Sequence, residues 1–252
     1  MVRYLDHQKR QDEILELVIK SYIEEGRPVS SEYLRERFKL PFSSATLRNI
    51  MSELEDLGYL SHLHTSSGRV PTQWGFRYYV DSLMEEETPD RKEVFSLIEK
   101  SINYIEELDD LLEEASIIIS KLTHLAGFTL FSKTRDRFFF WGTHFILQEP
   151  EFEDITTLRN VFTAFEEKMS LFRKFLERKL TQDIKVLIGE EIGLEEVKNC
   201  SLVLSSLGPF KDERALLGVL GPIRMNYSFT ISRLKALKSY LEDNFLRREF
   251  LK

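Results

Sequence analysis

Arg48 and Asn49, with Ala45, Thr46 and Ser52 around them, carry the most specific chemistry in this sequence. An asparagine amide bonds an adenine edge through two hydrogen bonds. An arginine fork suits guanine or a phosphate, and an alanine methyl suits the thymine methyl. Ser43, Ser44 and Thr46 add hydroxyls suited to phosphate oxygens. A second polar group follows in His64, Thr65, Ser66, Ser67, Gly68 and Arg69. Small hydrogen-bonding residues, one glycine and one cation at a tight turn suit phosphate or minor-groove contact. The first group alone is equally compatible with an ordinary amphipathic surface helix. The polar turn beside it favours a nucleic-acid reader.

These residues need elements to position them. Ser43 caps a predicted helix that runs to Leu57 and stops at Gly58. At helical spacing Leu47, Ile50, Met51, Leu54 and Leu57 share one face. Ala45, Asn49 and Ser52 lie opposite, with Thr46 and Arg48 on the flanks. Upstream, Ile14, Leu17, Val18, Tyr22 and Ile23 predict an amphipathic helix over 8–25, stopped at Gly26-Arg27-Pro28. Ser30 and Ser31 offer caps for a second helix reaching about Phe38. Downstream, Tyr59 to Leu63 and Arg69-Val70 read as two short strands around the Ser67-Gly68 turn. A helix over 72–84 follows, with Trp74, Tyr78 and Leu83 available for packing. Three helices and a polar flap, with one helix free to enter a major groove, predict a winged helix-turn-helix over 1–87.

Glu85-Glu86-Glu87-Thr88-Pro89 reads as a boundary. Val94, Leu97, Ile98, Ile102, Ile105, Leu108 and Leu112 make the next stretch helical, a connector over 88–126 or a dimer-forming helix. From Gly127 the texture changes. Phe128 to Phe131, Phe138 to Trp141, Ile184 to Ile188, Ser201 to Ser205 and Leu216 to Leu220 read as strands. Helices are expected over Asp154 to Leu180 and Asn226 to Phe245. The expected class is α+β overall, with an α/β or α+β domain over 127–252.

Net charge is −7, which neither demands nor forbids nucleic acid. Residues 26–80 hold seven cations against five acids, and a specific reader needs cations at only a few places. The single cysteine, Cys200, excludes an internal disulfide and a multi-cysteine zinc site. The longest apolar runs are far too short for a membrane span, and the N-terminus lacks a signal-like stretch, so a cytoplasmic protein is expected. His62 and His64 have metal-like spacing but no further ligand nearby. The aromatic run Phe138 to Trp141 suits core packing better than a ligand pocket. No Ser, His, Asp or Cys set makes a nucleophile motif. A regulator without catalytic residue, cofactor or metal is expected rather than an enzyme.

The segment SSATLRNIMSELEDLGYLSHLHTSSGRVPTQWGFRYYVDSLM (43–84) resembles the N-terminal domain of the HrcA heat-inducible transcription repressors. Gly26, Pro28 and Val29 resemble that family's turn before its second helix. His64, Thr65, Ser66, Gly68, Arg69 and Pro71 resemble its wing. In the second half, Gln148, Pro150, Glu151 and Phe152 resemble its QPEF segment. Ile188-Gly189-Glu190-Glu191, Cys200-Ser201-Leu202-Val203 and Gly218 to Tyr227 also resemble family segments. The resemblance implies a winged helix joined to a GAF-like domain. It further implies a homodimeric repressor of chaperone genes that binds an inverted-repeat operator and answers to a GroEL-type chaperonin. There are departures. Only Gly127 to Phe145 lies between the connector helix and the QPEF-like segment, so most of the family's inserted dimerisation domain is missing, and the connector helix with the second domain is expected to supply the dimer interface. Asn226 and Ile223 replace a family aspartate and threonine. Ile50 replaces a glutamate in the groove-entering helix, which implies a shifted operator preference. The alternative reading is a ligand- or protein-sensing module whose winged helix makes protein contacts.

Overall fold

The computed structural model describes residues 2–62, 68–85, 87–88, 91–102, 107–131, 137–152, 154–167, 184–210 and 213–243. The chain divides into two units, Met1–Glu85 and Glu86–Lys252.

The first unit opens with α1 (Val2–Glu25), ended by Gly26 at φ +64°. A left-handed φ costs glycine nothing, which makes it a natural helix stop. Then come α2 (Ser31–Phe38) and α3 (Ser44–Asp56). Ser30 Oγ accepts the Tyr33 N–H at 3.1 Å, and Ser43 Oγ accepts the Thr46 N–H at 3.1 Å. Each cap contributes about 1 kcal/mol to its helix. A two-stranded antiparallel ribbon follows, β1 (Leu60–Ser61) with β2 (Val70–Pro71). Then α4 (Gln73–Tyr78) runs into a π turn over Tyr79–Leu83. The core holds Ile14, Leu15, Val18 and Ile19 of α1, Leu34 of α2, and Leu47, Ile50, Met51 and Leu54 of α3. Leu17, Tyr22 and Ile23, expected in the α1 seam, are only half-buried. The helix is rotated so that Leu15 and Ile19 point inward instead. Leu57 is 56% exposed because the helix has ended before it.

Several contacts hold α4 in place. Thr72 Oγ1 accepts the Gly75 N–H at 3.1 Å and donates to the Gly58 carbonyl at 2.6 Å. A Cβ on Gly75 would lie 2.2 Å from the Tyr59 carbonyl oxygen, so this helix packs there only with glycine. Tyr78 stacks on Tyr59 with centroids 4.9 Å apart and donates to Asp12 at 3.0 Å. Burial, together with that aspartate, raises the Tyr78 pKa.

The second unit is built on α5 (Arg91–Ile102), α6 (Leu108–Thr123), β3 (Ala126–Phe131), β4 (Phe138–Trp141), α7 (Thr143–Ile146), α8 (Ile155–Glu167), β5 (Ile184–Ile188), β6 (Cys200–Phe210), β7 (Glu213–Pro222) and α9 (Tyr227–Leu241). The strands form one sheet in the order β4-β3-β7-β6-β5 with every ladder antiparallel. The unit is therefore α+β, and the parallel α/β alternative is not realised. Strands β6 and β7 are long neighbours only two residues apart in sequence, which forces antiparallel pairing. The part of the expected 154–180 helix beyond Glu167 lies outside the described residues.

Helices α5 and α6, read from sequence as a connector, are a layer of this unit together with α9. On β3 the face beneath α6 carries small residues. A Cβ on Gly127 would meet the Ser116 carbonyl oxygen at 2.4 Å, and Thr129 Oγ1 donates to the Leu112 carbonyl at 2.7 Å. Alternation along β3 sends its large side chains to the opposite face. There Ala126, Phe128, Leu130, Leu202, Leu204, Leu216 and Leu220 form a core with Phe152, Val161, Ala164, Ile192 and Val197. Phe128 pairs across the ladder with Gly218, and its ring fills the space that a Cβ there would take, 2.2 Å away.

Three of the sequence segments singled out above meet at the start of α9. Arg224 bridges Glu149 and Glu151. Tyr227, fully buried, donates its hydroxyl proton to the Ile223 carbonyl, so Ser201 Oγ, 2.8 Å away, donates to Tyr227. Asn226 caps the helix by accepting the Phe229 N–H at 3.1 Å. An asparagine caps as well as an aspartate, so that departure leaves the helix start intact.

Candidate nucleic-acid interface

The α3 surface sorts the predicted residues by the local helix geometry. Ala45, Thr46, Arg48, Asn49 and Ser52 are exposed. Arg48 and Lys39 pair with no acid among the described residues. Other cations of this region are committed. Arg37 pairs with Glu24 and with Glu25 (2.8 Å), Arg27 with Glu25 (2.5 Å) and Arg77 with Asp81 (3.1 Å). Among the described residues, Arg48 is thus the unpaired guanidinium of this helix.

The serines are more constrained than the sequence suggested. Ser43 is the cap, and its Oγ also lies 2.9 Å from Thr46 Oγ1. Ser44 is half-buried and lies 3.1 Å from Ser31 Oγ, which ties α3 to α2. Ile50 is 5% exposed on the core face of α3. Its replacement of a family glutamate therefore changes packing under the helix, and the expected direct change of base preference has no basis in its position.

Of the flap, His64, Thr65, Ser66 and Ser67 lie outside the described residues. Gly68 and Arg69 sit at the flap's base. A Cβ on Gly68 would lie 2.4 Å from the Val29 carbonyl oxygen. Arg69 exchanges both backbone hydrogen bonds with Val29, each 2.8 Å, so a third short segment joins the ribbon. The Arg69 side chain, read from sequence as a tip cation, turns back instead. Its Nε lies 2.7 Å from Glu55 Oε2 on α3, a charge contact off the N–H axis. Both side chains are about one-fifth exposed. Glu55 Oε1 also contacts His62 Nδ1. Glu55 was not singled out in the sequence, and His62 was weighed there only for its metal-like spacing with His64. The signal was available in the register: Leu60 opposes Pro71 and Ser61 opposes Val70, which sets His62 opposite Arg69.

Among the described residues, no three His, Cys, Asp or Glu side chains form a group that could hold a metal, and His62 is engaged by Glu55. No helix among them is long and apolar enough to cross a membrane.

A family model described as the HrcA protein C terminal domain matches residues 96–231. A heat-inducible transcription repressor HrcA of Symbiobacterium thermophilum is 26% identical over 332 aligned positions, covering 93% of this chain and 97% of the relative. Its namesake in Carboxydothermus hydrogenoformans is 22% identical and covers 98% of this chain and 100% of the relative. These alignments run longer than the chain's 252 residues, so the relatives carry internal sequence that it lacks. A crystal structure of a hypothetical protein has a similar fold, with a TM-score of 0.72 and 18% identity over 93% of this chain and 96% of that one. With more than half of its residues matched by the family model, this chain belongs to the HrcA family.

Proposed function

We propose that this protein is a sequence-specific DNA-binding repressor of heat-shock (chaperone) genes, with residues 1–87 acting as a winged helix-turn-helix and the sheet-bearing unit as a GAF-like regulatory and dimerisation domain. The observation that carries this reading is the exposed row Ala45, Arg48, Asn49 and Ser52 on α3, with Arg48 unpaired among the described residues. A helix of this size fits the major groove, and these side chains match base edges and phosphates. The name of the relatives, heat-inducible transcription repressor, supports the regulated class of genes.

A two-fold dimer matches an inverted-repeat operator, because half-site symmetry mirrors protein symmetry. A GroEL-type chaperonin is the proposed regulatory partner. The working compartment is the cytoplasm, and the role is that of a regulator rather than an enzyme. Ser43, Ser44, Thr46 and the flap residues 64–68 are the proposed backbone-contacting set.

The test is selection of duplexes from a randomised pool by the full chain, followed by affinity measurements across a salt series. Tight, salt-dependent binding to an inverted repeat is expected, with scrambled duplex at least a thousandfold weaker, on the order of the usual specific-to-nonspecific ratio. Equal affinity for scrambled duplex overturns the reading. A second reading, docking of the first unit on a protein, draws on Leu57 (56% exposed) and Trp74 (63% exposed) in the same unit. Cross-linking of these positions to protein instead of DNA would favour it.

A further inference from the structure

Arg69 is the residue whose place in the structure departs furthest from its sequence reading. Its main chain is locked to Val29 in both directions, and its side chain is turned onto Glu55. Glu55 lies seven residues beyond Arg48 on α3. That is about 10.5 Å along the axis and within about 20° of the same direction. The carboxylate therefore sits on the Arg48 flank of the helix, two turns on, and receives both sides of the ribbon: His62 from the β1 side and Arg69 from the β2 side.

We propose that Glu55 is a positioning residue for DNA contact. It clamps the base of the flap, through Arg69 and His62, in fixed register with the groove-entering helix, and Arg69 serves this clamp instead of a phosphate. This rests on the DNA-binding reading above. A carboxylate facing nucleic acid is ordinarily unfavourable, since it repels the phosphates. Here it is matched by two nitrogen groups and holds the two ends of the ribbon, at His62 and Arg69, against the helix. The consequence has an unusual sign. Deleting the negative charge of Glu55 weakens DNA binding, where simple charge counting has it strengthen.

The experiment uses the full chain and the duplex that the native chain selects from a randomised pool, in about 0.15 M salt. Glu55→Ala and Arg69→Ala are each expected to weaken binding by roughly fivefold, the scale of losing one partly exposed ion pair. The double variant is expected to be no weaker than either single by more than about twofold, because both remove one interaction. Binding to scrambled duplex stays unchanged in all three. A Glu55→Ala protein that binds as tightly as the native chain, or more tightly, overturns the clamp. So does an Arg69→Ala effect that persists in the Glu55→Ala background and lowers the salt slope by about 0.9, the mark of a lost phosphate contact. Where thermal melting shows the alanine variant to be partly unfolded, the shape-preserving Glu55→Gln is scored by the same criteria. A native chain that does not discriminate between duplexes overturns the DNA-binding reading itself. A discriminating native chain indifferent to Glu55 overturns only the clamp.

Discussion

Arg224 Nη2 lies 2.6 Å from Glu149 Oε2, and the same guanidinium holds Glu151 through Nε and through Nη2 at 3.2 Å. One arginine at the start of α9 thereby fastens a turn more than seventy residues earlier in the chain. Its side chain is only 15% exposed. Arg224→Ala leaves two carboxylates side by side without a counter-charge. Breaking a buried ion pair costs about 3–5 kcal/mol, and partial exposure of these groups reduces the expected loss to about 1–3 kcal/mol. Urea unfolding followed by Trp141 fluorescence in a Trp74→Phe background reads this in the second unit alone. Arg224→Lys is expected to recover only part of the loss, because an ammonium lacks the fork that spans both acids.

Asn49→Ala is expected to relax base preference at one operator position, at a cost of about 1–3 kcal/mol on the preferred base and nearly none on the others. Competition between single-base duplex variants measures it. A uniform loss across all bases would move Asn49 from base reading to backbone contact.

Much of the first unit was legible because its signals are local. The caps at Ser30 and Ser43 and the stops at Gly26 and Gly58 act within a turn of where they stand. The exposed row on α3 follows from spacing alone. What escaped was non-local. The partner of Arg69 is fourteen residues away on another element, and only the ribbon's register brings it near. Likewise the tie between Arg224 and Glu149 spans β5, β6 and β7 in sequence, and no periodicity encodes it. The α1 seam was placed about one residue off because its apolar arc is wide, and the partners that choose among Leu15, Leu17 and Ile19 lie on α3 and α4. The antiparallel sheet could not be separated from a parallel one until strands β6 and β7 were seen to pair directly.

Gly75→Ala is expected to destabilise the first unit by about 1–3 kcal/mol, because the new methyl would have to displace the Tyr59 main chain. Helix propensity alone has alanine improve this position, so the sign of the effect separates the two. Thermal unfolding followed by Trp74 fluorescence measures it.

Cys200 is fully buried on the core side of β6, and burial pushes its thiol pKa up to about 12. At pH 8 roughly one thiol in ten thousand is then ionised, and the sulfur is also out of reach. Reaction with a thiol reagent is expected to be undetectable in the native chain and rapid in denaturant. Fast labelling of the folded protein would contradict the placement of β6.

The pairing of Phe128 with Gly218 fixes an order of events for any lineage that alters this sheet. The phenyl ring occupies the volume a side chain at 218 would need. A substitution at 218 is therefore blocked until residue 128 has shrunk. Shrinking residue 128 first opens a cavity, a cost that a later gain at 218 repairs. The two positions can change, but only along one path, through a weakened intermediate.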